Sequence, residues 1–270
     1  MSDRCGLQNL QNKFLNTLST MRNSIKNVVL SSRKRLINNA TVFDAGDTSS
    51  IVLNGSTVSQ WRTNNTFLAT QSTTANQPTY NAVGLNGKPI LDFDGTNDHL
   101  TLNANLAITT QNFNVFAVAR GGSSTAFCKS LILGSADGFL LNLRSASQIR
   151  NVAGTAYSIP NINADDSFGI YAFICSTSDS TLQVEVFYNG VLASSSTFSG
   201  TGYNINYTPY IARGDGGAGT TTSFAKIAKL AIMLSSVSST TRQEIEGILA
   251  WEWGLQSLLP DNHPFKYTLP

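Results

Sequence analysis

The sequence is poor in charged residues. Only 13% of its 270 residues are charged, where an average soluble protein carries about 25%. Low charge combined with 41% hydrophobic residues argues against disorder, and the abundant Ser, Thr, Asn and Gly are typical of turns and exposed strand surfaces. The length allows one large domain or two small ones, and all-β sandwiches commonly exceed about 200 residues as one unit. A β-rich protein with a sizeable core is therefore expected.

Cysteine, histidine and long apolar runs are also scarce, which excludes several kinds of chemistry. Cys5, Cys128 and Cys175 form no CxxC pair, so neither a disulfide framework nor a zinc site is indicated. A Ser or Cys triad needs a histidine base, and the only two histidines, His99 and His263, are both expected to be structural. No apolar run approaches the roughly 18 residues that a membrane-spanning helix needs.

Residues 1–40 form a basic arm on a mildly acidic body. They hold seven basic residues and one acidic residue, a net charge of +6, whereas the remainder carries −4. Their apolar residues recur at gaps of three and four, which predicts one apolar stripe on a helix over about residues 6–30. The stripe consists of Leu7, Leu10, Phe14, Leu18, Met21, Ile25 and Val28.

This stripe must be covered, and three partners remain open. It can pack on its own chain, bundle with sister copies, or dock into another protein. Thr17 and Ser24 at would-be core positions weaken a strict coiled-coil pattern. The three basic residues Arg33, Lys34 and Arg35 lack interleaved aromatics, so nucleic acid is not expected as the partner. We predict oligomerisation, with a trimer favoured, or anchoring to a larger assembly.

From residue 41 onward, short apolar runs alternate with Gly, Asn and Asp, which predicts an antiparallel sandwich or barrel. Predicted strands are Ile51–Leu53, Val58–Trp61, Ile90–Phe93, His99–Leu102, Val115–Ala119, Leu131–Leu133, Phe139–Leu143, Ile170–Ile174, Leu182–Tyr188, Tyr210–Ala212 and Ile227–Leu234. Asn189 and Gly190 predict a two-residue hairpin turn. The stretch Gly214–Gly219 predicts a flexible loop. Ser238 or Thr241 can cap a closing helix over about residues 239–254.

Several motifs of the body resemble concanavalin A-like (laminin-G-like) jelly-roll domains. They are Phe43-Asp44-Ala45-Gly46-Asp47, Val58-Ser59-Gln60-Trp61, Ala69-Thr70-Gln71, Gln77-Pro78-Thr79-Tyr80, Leu85-Asn86-Gly87-Lys88-Pro89, Leu91-Asp92-Phe93-Asp94-Gly95-Thr96-Asn97-Asp98, Arg242-Gln243-Glu244-Ile245-Glu246-Gly247, Ala250-Trp251-Glu252-Trp253-Gly254-Leu255, Leu259-Pro260 and His263-Pro264-Phe265-Lys266.

The resemblance frames residues 41–270 and implies a jelly-roll sandwich of a group abundant in bacteriophage and environmental bacterial proteins. The sequence departs from the pattern of this group at residues 62–68, which replace a glycine-rich turn. It also departs at Lys229, where similar proteins often carry an acid. Trp61 and Trp251 are expected in the core, and Trp253 is expected beneath the closing helix.

The resemblance does not extend to hydrolysis. Retaining glycosidases on this fold carry a strand-borne Glu-x-Asp-x-Glu that sets two carboxylates about 5 Å apart. Of the four glutamates here, Glu244, Glu246 and Glu252 fall in the predicted closing helix, and Glu185 has no carboxylate two residues away. We therefore expect no enzymatic activity.

Candidate ligand residues lie in two aspartate-containing stretches. Asp92, Asp94 and Asp98 alternate around a glycine, as in an oxygen-ligating calcium loop, although the terminal Glu of the full loop is absent. The alternative is a glycine turn in which the Asp side chains accept hydrogen bonds from their own backbone. Asp94, Asp98 and Asp215 are the candidate sugar-binding residues. No cofactor is expected, with calcium as the one candidate.

Together the arm and the resemblance favour a virion surface protein of a tailed bacteriophage. It would be a capsid decoration protein or a short fibre or receptor-binding protein, assembled in the bacterial host cytoplasm. Its expected partners are sister copies, the major capsid or tail protein and host surface glycans. The alternative is a carbohydrate-binding module or adhesin, with or without calcium. A fold alone does not choose between these functions.

Overall fold

The computed structural model describes most of the body and a small part of the arm. The described residues are 8, 12–17, 19–21, 37, 40–65, 67–104, 106–109, 112–121, 130–132, 139–143, 147–150, 156–159, 166–178, 181–199, 204–207, 209–216, 219–222 and 224–270. Of the predicted stripe, only Phe14 and Met21 fall within them, while Leu7, Leu10, Leu18, Ile25 and Val28 lie outside. Residues 12–17 and 19–21 are helical, as the stripe predicts.

The body is built from antiparallel strands. They are β1 (Thr41–Asp44), β2 (Ile51–Asn54), β3 (Thr57–Arg62), β4 (Leu68–Thr70), β5 (Thr79–Leu85), β6 (Lys88–Asp94), β7 (Leu100–Leu102), β8 (Leu106–Thr109), β9 (Phe113–Gly121), β10 (Ser130–Ile132), β11 (Phe139–Asn142), β12 (Ser147–Arg150), β13 (Ala156–Ile159), β14 (Gly169–Ser178), β15 (Thr181–Tyr188), β16 (Val191–Ser199), β17 (Asn204–Tyr207), β18 (Tyr210–Ile211), β19 (Arg213–Gly216), β20 (Gly219–Thr222) and β21 (Phe224–Met233).

Besides the helical residues of the arm, the described part of the chain has three short 3₁₀ helices and one longer helix. The 3₁₀ helices are Thr48–Ser50, Thr74–Asn76 and Gln256–Leu258, and the closing helix is Ser239–Trp253. No helix among the residues with described structure is long and apolar enough to cross a membrane.

The strands form two layers of a sandwich. In one layer, β5, β6, β21, β9, β14, β15 and β16 pair in that order, and β1 pairs with the second half of β21. In the other, β2, β3, β4, β7, β18, β10 and β11 pair in order, and β12 and β13 extend beyond β11. We call them the helix-covered sheet and the platform sheet. The predicted all-β sandwich is confirmed.

The helix-covered sheet is buried on both faces. Val115 and Phe116, neighbours on β9, point to opposite faces, and both are fully buried. Val115 belongs to the core between the sheets, whereas Phe116 belongs to a second core that includes Ile245 and Ile248 of the closing helix. A strand buried on both faces is apolar along most of its length, which explains the apolar run Val115–Ala119 in the middle of β9. Ile37 and Ala40, at the end of the arm, pack into this second core.

The closing helix begins and ends where its capping residues predict. The Ser238 Oγ accepts a hydrogen bond from the Thr241 backbone N–H at 3.1 Å, and Gly254 ends the helix with φ 70°. Trp253 is buried beneath the helix, as expected. Trp251 is only half-buried, in contrast to the expected core position, because its indole N–H donates to the Phe265 carbonyl at the surface tail.

Two turn predictions have opposite outcomes. Asn189 and Gly190 have φ values of 52° and 80° and join β15 to β16, so the predicted hairpin is confirmed. The predicted loop Gly214–Gly219 is wrong, because β19 and β20 pair in register from Arg213 opposite Thr222 onward. A backbone ladder needs no side chains, so glycines do not prevent this pairing.

Candidate functional site

A row of polar side chains crosses the outer face of the platform sheet. Gln60 on β3 lies opposite Thr70 on β4, Thr70 opposite Thr101 on β7, and Thr101 opposite Tyr210 on β18. Their sequence neighbours Trp61, Ala69, Leu102 and Ile211 are buried in the core between the sheets. Because side chains alternate between the faces of a strand, these four residues, which we call the platform row, point outward. With neighbouring strands about 4.8 Å apart, the row spans about 14 Å.

Three members of the platform row, Gln60, Thr70 and Thr101, form the floor of a cleft of about 490 Å³. Its walls come from the turn that follows β4 and from the segments beside β2 and β7. All nine lining residues are polar and none is an acid, a lysine or an arginine: Asn54, Ser59, Gln60, Thr70, Gln71, Ser72, Gln77, His99 and Thr101. Within the described part of the chain, the hydroxyls of Thr70 and Thr101 have no protein hydrogen-bond partner. The cleft therefore offers donors and acceptors to a neutral polar ligand.

Two buried glutamines make the cleft wall rigid. The Gln77 Nε2 donates to the Gln71 carbonyl at 2.7 Å, and its Oε1 accepts from the Thr57 hydroxyl at 2.7 Å and from the Asn54 Nδ2 at 3.3 Å. Both glutamines are buried, and a buried amide keeps one orientation when each of its polar atoms has a partner. The wall is thus preorganised.

His99 joins this wall to the opposite side of the cleft. Its Nδ1 lies 2.9 Å from the Asn97 carbonyl oxygen, which can only accept, so Nδ1 carries the proton. The other nitrogen, Nε2, then accepts from the Gln71 Nε2 at 3.0 Å and from an Arg213 guanidinium nitrogen at 3.3 Å. The orientation of Gln71 follows from its Oε1, which accepts from the Thr73 backbone N–H at 3.0 Å.

The surroundings of His99 keep it neutral. Burial lowers its pKa, the hydrogen bond to the Asn97 carbonyl opposes this shift, and the positive charge of Arg213 lowers the pKa further. The two donors near Nε2 require this nitrogen to accept hydrogen bonds, and only the neutral ring can do so.

A strained residue places Arg213 beside Tyr210 and His99. Residues 210 and 213 would point to opposite faces of a regular strand, but Ala212 between them adopts φ 61° and interrupts the alternation. The guanidinium of Arg213 consequently lies 4.5 Å above the ring of Tyr210. This backbone device brings a cation and an aromatic ring to one end of the platform row.

The predicted aspartates lie at the edge of this site, and most of their described contacts are to the protein itself. The Asp94 Oδ1 accepts from the backbone N–H groups of Thr96 and Asn97 at 2.7 and 3.2 Å. Asp92 forms an ion pair with Lys226 on the neighbouring strand. Asp215 lies on β19, and its side chain is outside the described residues.

Asp98 is the one predicted site residue next to the cleft wall. Its Oδ2 accepts from the Asp94 backbone N–H at 3.0 Å. Burial raises its pKa to about 6, the hydrogen bond from Asp94 opposes the shift, and the carboxylates of Asp94 and Asp92 add to it. No group of three or more His, Cys, Asp or Glu side chains within the described ranges could hold a metal ion. Calcium and sugar binding by these aspartates stay predictions.

A second cleft of about 560 Å³ lies at the end of the closing helix and differs in chemistry. Its floor holds Lys229, which lies 2.8 Å from the Asp44 Oδ2 and 2.8 Å from the Glu252 Oε2. Lys229 is one of the positions at which the sequence departs from the jelly-roll resemblance. It lies between two acids. Burial opposes its charge, but the carboxylates of Glu252 and Asp44 outweigh burial and raise its pKa.

Sequence reasoning missed the platform row and the residues around it. Gln60, Thr70 and Tyr210 are ordinary polar residues in short strands, and only the register between distant strands brings them together. The available signal was alternation, since each stands next to an apolar residue that faces the core. His263, expected to be structural, is buried with Nε2 3.3 Å from the Glu246 Oε2.

Comparison with known proteins supports the fold. No family model and no curated protein matches the chain. The structure is similar to the binding domain of Paraclostridial Mosquitocidal Protein 1, with TM-score 0.55 and 10% identity, over 78% of this chain and 52% of that one. The receptor binding domain of botulinum neurotoxin D gives TM-score 0.51 and 10% identity, over 78% and 53%.

A third similar structure is domain 4 of an extracellular arabinanase from Geobacillus stearothermophilus in complex with arabinotriose. It gives TM-score 0.47 and 14% identity, over 74% of this chain and 94% of that one. The chain spans about half the length of the two binding domains named first. At 10% identity, the likeness to those two domains shows a shared β-sandwich fold.

Proposed function

We propose that the chain is a carbohydrate-binding module whose ligand lies along the platform row. The observation that supports this most is the register of Gln60, Thr70, Thr101 and Tyr210, which sets hydroxyl, amide and aromatic groups side by side on an open face. A saccharide presents paired hydroxyl donors and acceptors on one side and apolar C–H groups on the other. Hydroxyl and amide side chains suit the first, and a tyrosine ring suits the second.

The size and charge of the cleft favour a neutral oligosaccharide. A row of about 14 Å is longer than one sugar ring, so a short chain uses it better than a single sugar does. No lining residue of the cleft is charged at neutral pH, since His99 is held neutral. The similar binding domain of Paraclostridial Mosquitocidal Protein 1 and receptor binding domain of botulinum neurotoxin D are consistent with a binding role for this sandwich.

A glycan array followed by calorimetry tests the proposal. We expect a single sugar to bind no better than millimolar, about −4 kcal/mol, and a matching oligosaccharide to bind more tightly. The double variant Thr70→Ala and Thr101→Ala should lose binding and stay folded. Thr197→Ala, an exposed threonine on β16 of the other sheet, is the control and should bind as the parent does. Absence of binding to every glycan by the folded chain would overturn the proposal.

The arm favours a second function, self-association. Phe14 and Met21 of the stripe are 64% and 58% exposed, so the body of the same chain does not cover them. Two large apolar side chains on one helical stripe are better covered by sister helices than by water. Three copies joined in this way would display three platforms, and avidity would compensate for a weak single site. In this proposal the trimer sits on the surface of a bacteriophage particle, held by a capsid or tail protein.

Sedimentation of the full chain tests self-association. The parent should sediment as a trimer, and Phe14→Asp combined with Met21→Asp should give monomers, because buried charges without partners are costly. Leu15→Asp changes an equally exposed residue off the stripe and should leave the trimer intact. A monomeric parent would overturn this second function.

A further inference from the structure

The cluster at the end of the closing helix has the geometry of a reaction centre. Asp44 on β1 and Lys229 on β21 are direct cross-strand partners. A bulge at Ala228, where the register with β9 shifts, sets Lys229 on the face that the closing helix covers. Glu252 of that helix approaches Lys229 from the other side. Three elements, of which only β1 is distant in sequence, thus meet at one ammonium group.

The three side chains are held close together and largely away from water. The Lys229 Nζ lies 2.8 Å from one oxygen of each carboxylate. The side chain of Lys229 is 5% exposed, that of Glu252 11% and that of Asp44 21%. An amine fixed against a carboxyl group reacts as if it were at very high concentration, with effective molarities of about 10⁵ M or more in well-oriented cases.

The backbone supplies an oxyanion donor at the acceptor carboxyl. The Asp44 Oδ2 faces Lys229, and the Asp44 Oδ1 accepts from the Gly46 N–H at 2.9 Å. That N–H points at the oxygen on which negative charge would develop if the Asp44 Cγ became tetrahedral. Nucleophile, acceptor, proton carrier and oxyanion donor are therefore all in place.

We propose that Lys229 and Asp44 form an intramolecular amide bond, with Glu252 as the catalytic proton carrier. Glu252 takes one proton from the Lys229 ammonium and passes it to the Asp44 Oδ2. The neutral amine then attacks the Asp44 Cγ, and the negative charge moves to Oδ1. Glu252 takes a second proton from the nitrogen and delivers it to Oδ2, which leaves as water. One N–C bond forms, one C–O bond breaks, and Glu252 ends as it began.

The ammonium form of Lys229 sets the order of these steps. Its two carboxylate neighbours hold its pKa above the ordinary value, so the resting state is an ion pair and only the minor fraction with a neutral amine can react. The bond would join β1 to β21, which are the first and last strands of the helix-covered sheet in chain order. It would fix these two neighbouring strands to each other beneath the closing helix.

Mass spectrometry of the full-length chain under denaturing conditions tests the bond directly. The chain should be lighter than its sequence by one water molecule. After trypsin digestion, residues 36–62 should be joined to residues 227–242, because trypsin does not cleave after an acylated Lys229. A parent chain with its full sequence mass and separate peptides would overturn the proposal.

Three variants make the test specific. Lys229→Arg keeps the positive charge between the acids but has no reactive amine, so it should have its full sequence mass. Glu252→Gln lacks the proton carrier and should also have its full mass, with circular dichroism confirming that it is folded. Asp44→Asn should lose one ammonia molecule and reach the same final mass as the parent. A mass loss that persists in folded Lys229→Arg would place the bond elsewhere and overturn the assignment.

Discussion

The outer faces of the two sheets have the same strand geometry but differ in polarity. On the helix-covered sheet, the outward residues are apolar, such as Phe116 on β9, and the closing helix covers them. On the platform sheet, the outward residues Gln60, Thr70 and Thr101 are polar, and they line a cleft. A strand's outer face must match whatever lies above it, so the chain uses one face for stability and leaves the other available to a ligand.

The charges of the molecule are divided in the same way. Beneath the helix, Glu246 is fully buried with the Arg242 guanidinium 2.5 Å away, and Lys229 lies between two acids. Removing one partner from such a group leaves an uncompensated buried charge, which is strongly destabilising. The cleft of the platform sheet is instead lined by neutral amides and hydroxyls and by the neutral ring of His99.

The comparison predicts a large difference between substitutions at equivalent outward positions. Phe116→Ala should lower the free energy of unfolding by about 3–5 kcal/mol, since it removes a fully buried ring from the core beneath the helix. Thr101→Ala, at an outward position of the platform sheet, should change it by about 0.5 kcal/mol or less. Denaturant unfolding of both variants measures this. Similar losses in the two would show that the platform face is structural.

Much of this comparison can be predicted from sequence where the signal is local. The apolar run of β9, the Asn189-Gly190 turn and the caps of the closing helix all depend on neighbouring residues. Their predicted boundaries are close to the observed ones.

The platform row and the reaction centre could not be predicted, because their signals are not local. Thr70 ends a three-residue strand, too short for a periodic pattern, and its partner Thr101 is distant in sequence. Lys229 stands in an apolar run that gives no hint of Asp44 or Glu252. An alanine at φ 61°, such as Ala212, has no sequence signature, since glycine or asparagine is the usual residue there.

The two sides should also differ in how pH affects stability. Asp98, at the platform side, has a pKa raised to about 6 by burial, and it forms no ion pair with any residue in the described ranges. Below about pH 4 its carboxyl group is protonated in both folded and unfolded chains. Between pH 4 and 6 the unfolded chain releases the proton while the folded chain keeps it, so stability falls as pH rises.

Asp98→Asn should remove this fall. The variant's free energy of unfolding minus that of the parent should be roughly 2–3 kcal/mol larger at pH 7.5 than at pH 4. This follows because one pKa unit corresponds to about 1.4 kcal/mol. Urea midpoints at the two pH values measure the change. A difference between variant and parent that is the same at both pH values would show that Asp98 titrates normally.

The smallest expected effect concerns two buried alanines, one on each sheet. Ala231 lies in the middle of β21, and Ala212 follows β18 with φ 61°. Replacing Ala231 by glycine should cost about 1–2 kcal/mol, from the lost methyl contacts and the greater freedom of the unfolded chain. At Ala212 the same losses are offset by relief of the left-handed conformation, which costs an alanine about 1–2 kcal/mol. The net change for Ala212→Gly should therefore be within about 0.5 kcal/mol. Unfolding of the two variants side by side measures the strain, and equal losses would mean that the backbone at Ala212 stores none and that Arg213 needs no such device to reach the ring of Tyr210.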